Sequence, residues 1–177
     1  MRIIAGEKRG AKIVAPKGHD TRPTSDRTRE AAFNLIGPVD GASVLDLFAG
    51  SGAYGLEALS RGADSAVFAE ADPAACEAIR RNLEKLRLTG ATVLCREAIQ
   101  VLSQEVGAGR RYDLVLADPP YRMFSSVQTG LATYVPRVLA DEGLAVLETH
   151  AKEEPDLPLT KRTSRRYGSA RLTLFEH

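Results

Sequence analysis

Apolar residues along most of this chain fall into short continuous runs that alternate with longer segments of helical period. The short runs predict strands at 43–48, 66–70, 91–95, 112–118 and 143–148. Helices are predicted between them, near 53–61, 73–88, 97–106 and 125–140. Several of the strands are nearly all apolar, as expected for parallel strands that are covered on both faces. The alternation therefore predicts the α/β class, with a doubly wound, mostly parallel sheet.

The two ends of the chain depart from this alternation. At the N-terminus we predict a β-hairpin for RIIAGEKRGAKIVAP and then a helix for RPTSDRTREAAFNLIG, capped by Thr24 or Ser25. Near the C-terminus, two antiparallel strands around Gly168 and Ser169 are predicted to close one edge of the sheet. Because no linker divides the 177 residues, we expect one domain over 1–177, in which 1–37 extends a core at 43–177.

The composition, 44% hydrophobic and 27% charged, is that of an ordinary globular protein. No segment approaches the length that spans a bilayer, and the first residues do not resemble a signal peptide, so a cytoplasmic protein is expected. The two cysteines, Cys76 and Cys95, have neither the number nor the spacing of a disulfide framework or a metal site. Both are predicted to be small buried hydrophobic side chains, and no metal is expected.

The net charge of +1 conceals an uneven distribution of charge along the chain. Residues 1–30 carry eight Lys and Arg against four Asp and Glu, and residues 160–175 carry five basic side chains and no acidic one. Residues 37–150 carry ten basic and fifteen acidic side chains. Basic ends around an acidic middle favour a polyanion bound at the periphery, although charged runs are usually only solvated faces.

A glycine-rich loop follows the first predicted core strand, in the sequence DLFAGSGAYG. Its glycines, Gly50, Gly52 and Gly55, fit the spacing G-x-G-x-x-G, and Glu70 ends the next strand twenty residues after Gly50. Such a loop lets the backbone approach a ligand closely, and an acid at that distance can accept both hydroxyls of a ribose. The pattern favours an adenosine-type cofactor over a plain tight turn between strand and helix.

Asp46 distinguishes between the cofactors that fit this loop. It lies four residues before Gly50, where a carboxylate would repel the pyrophosphate of a dinucleotide. The same charge would attract the cationic methionine end of S-adenosylmethionine. We therefore predict S-adenosylmethionine as the cofactor. Glu97 is a candidate contact for the adenine amino group, with an exposed acid at a helix N-terminus as the alternative.

The stretch LADPPY brings a second carboxylate to the same edge of the predicted sheet. Asp118 ends a strand, Pro119 and Pro120 stiffen the loop after it, and Tyr121 offers a flat face for an unstacked base. Hydrogen bonds to Asp118 and to the Pro119 carbonyl would orient an exocyclic amine toward a methyl donor. A simple proline strand terminator with a packed tyrosine is the structural alternative.

Over nearly its whole length, the chain resembles the family that methylates N2 of a guanine in 16S ribosomal RNA. The motifs that carry the resemblance are DLFAGSGAYGLEALSRG, VLADPPY, RIIAGEKRG, RPTSDRTREAAFN and YGSARLTLF. The N-terminal motifs are the specific part, because the motifs DLFAGSGAYGLEALSRG and VLADPPY also occur in adenine-N6 and protein-glutamine methyltransferases. The resemblance implies a seven-stranded sheet, S-adenosylmethionine as methyl donor with S-adenosylhomocysteine as product, and RNA within a partly assembled small subunit as substrate. We expect a monomer.

The resemblance also assigns residues to roles. Those expected to bind the cofactor are Asp46, Phe48, Gly50, Gly52, Glu70, Ala71, Glu97 and Ala98. Those expected at the target base are Asp118, Pro119, Pro120 and Tyr121. Those expected to contact RNA phosphates are Lys8, Arg9, Lys12, Arg22, Arg27 and Arg29, with Arg162, Arg165 and Arg166 as a second patch.

Three points stay open from the sequence. Arg22 and Arg29 are also candidates for bracing the N-terminal helix through a carboxylate. Tyr54 stands where a small or aliphatic residue is expected, and it is a candidate either for packing over the cofactor or for capping a helix. An adenine-N6 methyltransferase, a nicotinamide dehydrogenase and a non-catalytic ribosome-assembly factor remain alternatives to the function that the resemblance implies.

Overall fold

A computed structural model describes residues 1–16 and 26–177 of the chain. The elements alternate along the core as the apolar pattern predicts. The helices are α1 (Asp26–Ile36), α2 (Ala53–Ser60), α3 (Pro73–Leu86), α4 (Ala98–Gly107) and α5 (Phe124–Val138). The strands are β1 (Ser43–Leu47), β2 (Ser65–Glu70), β3 (Ala91–Cys95), β4 (Tyr112–Ala117), β5 (Leu139–His150), β6 (Thr160–Tyr167) and β7 (Ala170–Glu176).

The strands form one seven-stranded sheet in the order β3-β2-β1-β4-β5-β7-β6. The first five of these strands are parallel, and β7 pairs antiparallel with both β5 and β6. This confirms the doubly wound, mostly parallel sheet and the antiparallel pair predicted at its edge. Because the strand order reverses between β1 and β4, the carboxyl ends of these two strands border the crevice where such folds bind ligands.

Apolar layers cover both faces of the sheet, since successive side chains of a strand point to opposite sides. On one face, Val44, Leu114 and Leu116 pack with α2 and the N-terminal segment. On the other face, Leu45 and Val115 pack against α4 and α5. Burial on both faces explains why the strand sequences are almost continuously hydrophobic.

The boundaries of α3 show how local chemistry sets one helix. Asp72 caps it, and its side chain accepts hydrogen bonds from the backbone N–H groups of Ala74 and Ala75. Pro73 follows at the first helical position, where the missing N–H costs nothing. The helix ends at Leu86, and the next residue, Arg87, adopts a left-handed conformation with φ 52°.

The N-terminal hairpin is less regular than predicted. Residues 1–13 reverse direction, but only a single antiparallel bridge joins Arg2 to Lys12. The turn is closed by hydrogen bonds from Ile3 N–H to Ala11 O (2.9 Å) and from Gly10 N–H to Ile3 O (2.8 Å). The segment pairs with side chains of α2 and α3 instead of forming long strands. The predicted caps Thr24 and Ser25 lie outside the described residues.

The prediction for the cysteines is wrong, because Cys76 and Cys95 form a disulfide with a Cα–Cα distance of 6.0 Å. Cys76 lies in α3 and is buried, as expected, whereas Cys95 ends β3 and is exposed. The packing of α3 over β3 brings together two residues that are 19 positions apart. Within residues 1–16 and 26–177, no helix is both long and apolar enough to cross a membrane.

Candidate active site

A cavity of about 960 Å³ opens at the carboxyl ends of β1, β2, β4 and β5. The glycine loop, the start of α4 and the loop after β4 contribute to its wall. Of the residues predicted at the cofactor and the target base, those that line it are Asp46, Phe48, Gly50, Glu70, Ala71, Glu97, Ala98, Asp118, Pro119, Pro120 and Tyr121. Both predicted sets of residues therefore border one cavity, with the exception of Gly52, which does not line it.

Asp46 is buried in the wall of this cavity, with 2% of its surface exposed. Its Oδ2 accepts a hydrogen bond from Gly55 N–H in the first turn of α2, at 2.9 Å. Burial raises the pKa of Asp46 from 3.8 to about 7; the Gly55 hydrogen bond opposes the rise, and the charges of Asp118 and Glu70 add to it. A buried carboxylate of this kind gains from a cationic ligand, which would favour its ionised form.

Gly52 and Gly55 of the glycine loop are each required for a different structural reason. Gly52 has φ 78°, a left-handed conformation that L side chains rarely adopt. At Gly55, a Cβ atom would lie 2.3 Å from the ring of Phe68 and 3.1 Å from Asp46 Oδ2. A side chain there would push α2 away from the sheet and disturb the carboxylate. Gly55 therefore fixes the distance between the helix and Asp46.

Glu70 ends β2 and reaches across to the glycine loop. Its Oε2 accepts from Gly50 N–H at 2.7 Å, and its Oε1 accepts from Asp72 N–H at 2.8 Å. Since an ionised carboxylate has about four acceptor sites, these two bonds orient the group and leave capacity for hydroxyl donors. The spacing of twenty residues between Gly50 and Glu70 thus corresponds to a direct contact in the fold.

The remaining predicted cofactor residues lie on either side of this pair. Phe48 follows β1 with φ 58°, an uncommon left-handed conformation for an aromatic residue. Glu97 is the N-cap residue of α4, and its exposed side chain makes no capping hydrogen bond. Ala71 and Ala98 line the cavity next to Glu70 and Glu97.

The loop after β4 holds Asp118 at the boundary between β1 and β4. The backbone N–H of Asp118 donates to Leu47 O of β1 at 3.4 Å, and Pro119 is buried. Tyr121 begins a short 3₁₀ turn over Tyr121–Met123, and its ring meets that of His150 edge to face, with centroids 5.2 Å apart. The aromatic ring is therefore positioned at the cavity by the end of β5.

The predicted phosphate contacts separate into exposed and buried residues. Arg9, Lys12 and Arg27 are exposed, and Arg27 lines the cavity. Lys8 is half-buried and lies 2.6 Å from Glu7 Oε1. Arg22 lies outside the described residues. On the opposite side, Arg166 in β6 also lines the cavity, so exposed cations come from both predicted basic regions.

Arg29 is not part of this exposed surface, and its prediction as a phosphate contact is wrong. Its side chain is completely buried and pairs with Asp26 at 3.0 Å and with Glu57 at 3.6 Å. It also donates to the backbone carbonyl of Arg2. The physical reason is compensation of buried charge, which makes Arg29 the brace of α1 that the sequence left as an alternative.

Glu57 in α2 is the centre of this bracing and was not singled out from the sequence. It is fully buried, and its oxygens accept from Ile4 N–H (2.8 Å), Ala5 N–H (2.9 Å) and Arg61 Nε (2.8 Å). Further along, Asn82 of α3 exchanges two hydrogen bonds with the backbone of Val14. The N-terminal segment is thus fixed to both helices, and Met1, Ala15 and Pro16 reach the cavity.

Two further residues of the cavity wall, Tyr54 and Glu148, form a buried pair that the sequence did not predict. Tyr54 lies in the first turn of α2 and Glu148 near the end of β5, each with 6% exposure. The hydroxyl of Tyr54 donates to Glu148 Oε2 at 2.8 Å. Tyr54 therefore lies in the cavity wall, where its hydroxyl holds a carboxylate. Its packing over the cofactor stays a prediction. The sequence did contain a signal for Glu148, because this carboxylate ends the apolar strand predicted at 143–148, as Asp118 ends the one predicted at 112–118.

Comparison with known proteins agrees with this arrangement. A family model described as "Conserved hypothetical protein 95" matches residues 1–176. The chain belongs to this family. The Escherichia coli (strain K12) protein "Ribosomal RNA small subunit methyltransferase D" is 40% identical over 153 residues, which cover 86% of this chain and 76% of that protein.

Solved structures extend the likeness to the complete chain. A hypothetical protein from Thermus thermophilus is 33% identical and superimposes with a TM-score of 0.86, covering 100% of this chain and 99% of the other. The SAM-dependent methyltransferase from Agrobacterium tumefaciens is 17% identical, with a TM-score of 0.69 over 90% of this chain and 64% of the other. This second likeness shows a shared fold.

Proposed function

We propose that this protein transfers a methyl group from S-adenosylmethionine to the exocyclic N2 of a guanine in small-subunit ribosomal RNA. The observation that carries the proposal is the convergence of Asp46 and Asp118 on one cavity, at the ends of adjacent strands. The first carboxylate suits a cationic cofactor and the second suits an amine. The name of the Escherichia coli relative supports ribosomal RNA as the class of substrate.

The residues present fit the cofactor. Asp46 provides a buried carboxylate, Glu70 provides a carboxylate already oriented by Gly50, and the left-handed turn at Gly52 shapes the loop that brings Gly50 to the cavity. When bound, S-adenosylmethionine supplies an electrophilic methyl group on a sulfonium. Phe48, Ala71 and Ala98 would shape the walls around it, and Glu97 would face its adenine.

The loop from Asp118 to Tyr121 would act on the base. Asp118 accepts a hydrogen bond from the N2 amine, which helps to localise the nitrogen lone pair and to aim it at the methyl group. The buried Pro119 fixes the loop, so that its carbonyl can accept the second N–H in a preorganised position. Tyr121 would stack on a base withdrawn from its neighbours. The new N–C bond forms as the C–S bond breaks, and the amine proton passes to solvent.

The substrate that we favour is RNA within a partly assembled small subunit. Arg27 and Arg166 flank the cavity, and Arg9 and Lys12 extend the exposed basic surface of the N-terminal segment. Cations around a cavity attract the phosphate backbone without reading its sequence. The choice of one guanine would then come from the shape of the particle.

The test is transfer of labelled methyl from S-adenosylmethionine to small-subunit particles from a strain that lacks the enzyme. Free RNA and complete ribosomes serve as comparison substrates, and nucleosides are analysed after digestion. Asp118→Ala should abolish most of the transfer, since deletion of one oriented hydrogen-bonding group at the reacting centre costs about 10²–10³-fold in rate. Asp113→Ala is the matched control, because Asp113 lies at the other end of β4, bonded to Ser43.

The outcomes of this test distinguish the proposed activity from its two alternatives. Formation of N2-methylguanosine that depends on Asp118 supports the proposal. N6-methyladenosine in its place would transfer the same loop to an adenine-N6 activity, and a cofactor-binding protein that methylates no RNA would favour an assembly role.

A further inference from the structure

Glu148 lies beside the proposed catalytic loop, although it belongs to a different strand. Parallel pairing of β4 with β5 places Ala117 opposite Leu147, so that Asp118 and Glu148 follow at the same level. Neighbouring strands are separated by about 4.8 Å. Glu148 also lines the cavity and is 6% exposed. Two carboxylates from adjacent strands therefore face the place proposed for the target base.

Tyr54 fixes the orientation of this second carboxylate. Burial raises the pKa of Tyr54 well above its ordinary value, and the charges of Glu148 and Asp118 raise it further. The phenol therefore stays protonated and donates its hydrogen bond to Glu148 Oε2. An ionised carboxylate has about four acceptor sites, and the bond from Tyr54 is one of the interactions that orient Glu148.

The Watson–Crick edge of guanine matches two adjacent carboxylates. Guanine presents N1–H beside its N2 amine, and both are donors. Adenine presents an acceptor at N1 beside its N6 amine. Enzymes that act on an unstacked base read it through hydrogen bonds to this edge. If Asp118 holds the amine, the next atom along the edge is N1, and a carboxylate there attracts guanine and repels adenine.

We propose that Glu148, held by Tyr54, accepts the N1–H of the target guanine and so selects guanine over adenine. The inference rests on the proposed function, because it names the base-selecting residue of the same site. Asp118 alone cannot make this distinction, since an exocyclic amine is common to both bases. Glu148 thus supplies the specificity that the Asp-Pro-Pro-Tyr loop lacks.

The experiment uses an analogue that separates the two hydrogen bonds. Once the methylated guanosine has been mapped, small-subunit particles are assembled from RNA carrying either guanosine or 2,6-diaminopurine riboside at that position. The analogue keeps the N2 amine but has an acceptor at N1. For the wild-type enzyme, kcat/KM should be about 10-fold to about 100-fold lower on the analogue, since a buried carboxylate would face an acceptor.

Glu148→Gln should change the ratio between the two bases. The glutamine amide can donate to the N1 of the analogue, so the variant should methylate both substrates within about threefold of each other, and its rate on guanosine should fall. Tyr54→Phe is the matched variant: it removes the bond to Glu148 but leaves the carboxylate, so it should lower the rate on guanosine and narrow the preference for guanosine without reaching the nearly equal rates of Glu148→Gln.

Failure of this inference is distinguishable from failure of the proposed function. Equal rates of the wild-type enzyme on both bases, or an unchanged base ratio in Glu148→Gln, would overturn the role of Glu148 while N2 methylation stands. Absence of transfer to either base would overturn both. The wild-type comparison needs no variant to fold, and calorimetry with S-adenosylhomocysteine should show unchanged cofactor affinity in Glu148→Gln.

Discussion

The burial of Asp46 makes its charge depend on pH in the neutral range. Its pKa of about 7 lies above the ordinary 3.8, so the folded protein binds a proton at this site between those values and the unfolded chain does not. The contribution of Asp46 to stability is therefore fully present below about pH 4 and is lost as the pH rises to about 7. A cationic ligand reverses this preference, because it stabilises the ionised carboxylate.

We predict that the affinity for S-adenosylmethionine rises with pH and levels off above about pH 7, because binding expels the proton from Asp46 only below that value. Calorimetric titration between about pH 6 and about pH 8, in buffers of different ionisation enthalpy, would detect the released proton. Asp46→Asn should bind more weakly and with little pH dependence, whereas Asp113→Asn should behave like the wild type. A pH-independent affinity of the wild type would contradict the role of Asp46.

The residues that the sequence predicted best are those whose position follows from strand direction. Asp46 and Asp118 lie at the ends of apolar runs, and the carboxyl ends of parallel strands meet at one edge. Glu148 has the same signal, but its partner Tyr54 is distant in sequence, and a hydrogen bond across 94 positions depends on how α2 packs. Spacing alone does not show that packing.

Arg29 was predicted wrongly because the prediction relied on the density of basic residues and not on the helical period. It is one of several basic residues near the N-terminus, and that density favoured a phosphate contact. However, Arg29 precedes Ala32 and Phe33 by three and four residues, so all three occupy one face of α1, and all are buried. The helical period, rather than the density of basic residues, indicates which arginine turns inward.

At the scale of secondary-structure elements, Glu57 joins the N-terminal segment to α1 and α2. We predict that Glu57→Ala lowers the free energy of unfolding by about 3–5 kcal/mol, because it removes the fully buried carboxylate that pairs with the buried Arg29 and accepts the N–H groups of the N-terminal segment. Glu77→Ala is the matched control. Glu77 and Arg81 form the same i,i+4 pair as Glu57 and Arg61, but in solvent, and an exposed pair contributes only about 0.3–0.5 kcal/mol.

Urea denaturation of the two variants and the wild type measures the difference. Equal stability losses in Glu57→Ala and Glu77→Ala would show that the N-terminal segment is held mainly by its apolar contacts, such as the buried Ile3 and Ile13.

The elements themselves were largely predictable, whereas their contacts were not. The predicted strand at 91–95 coincides with β3, and the other core strands and helices overlap their predicted ranges closely, because apolar period and turn residues are local signals. The bond between Cys76 and Cys95 depends on α3 lying over the end of β3. Two cysteines in a chain of this length give no local sign of such packing.

At the scale of the whole molecule, exposed cations border the cavity from opposite ends of the chain. Arg27 comes from α1 and Arg166 from β6. We predict that the double variant Arg27→Gln, Arg166→Gln weakens RNA binding at low salt. Its slope of log K against log salt should be shallower by about 0.7–0.9 for each phosphate contact that is lost.

Arg137→Gln serves as the control, because Arg137 is exposed in the last turn of α5, at the opposite end of the parallel strands. Fluorescence anisotropy with labelled RNA at several salt concentrations gives the slopes. If the control and the double variant had equal slopes, the cations at the cavity would not be the ones that meet phosphates.

The position of β6 gives its basic residues a second consequence. This strand is the outermost of its side of the sheet, and an edge strand offers unpaired backbone groups to which another chain can add. Lys161, Arg162, Arg165 and Arg166 are exposed along it. Two copies meeting edge to edge would bring like charges together, so we expect this edge to disfavour pairing between copies and to attract a polyanion.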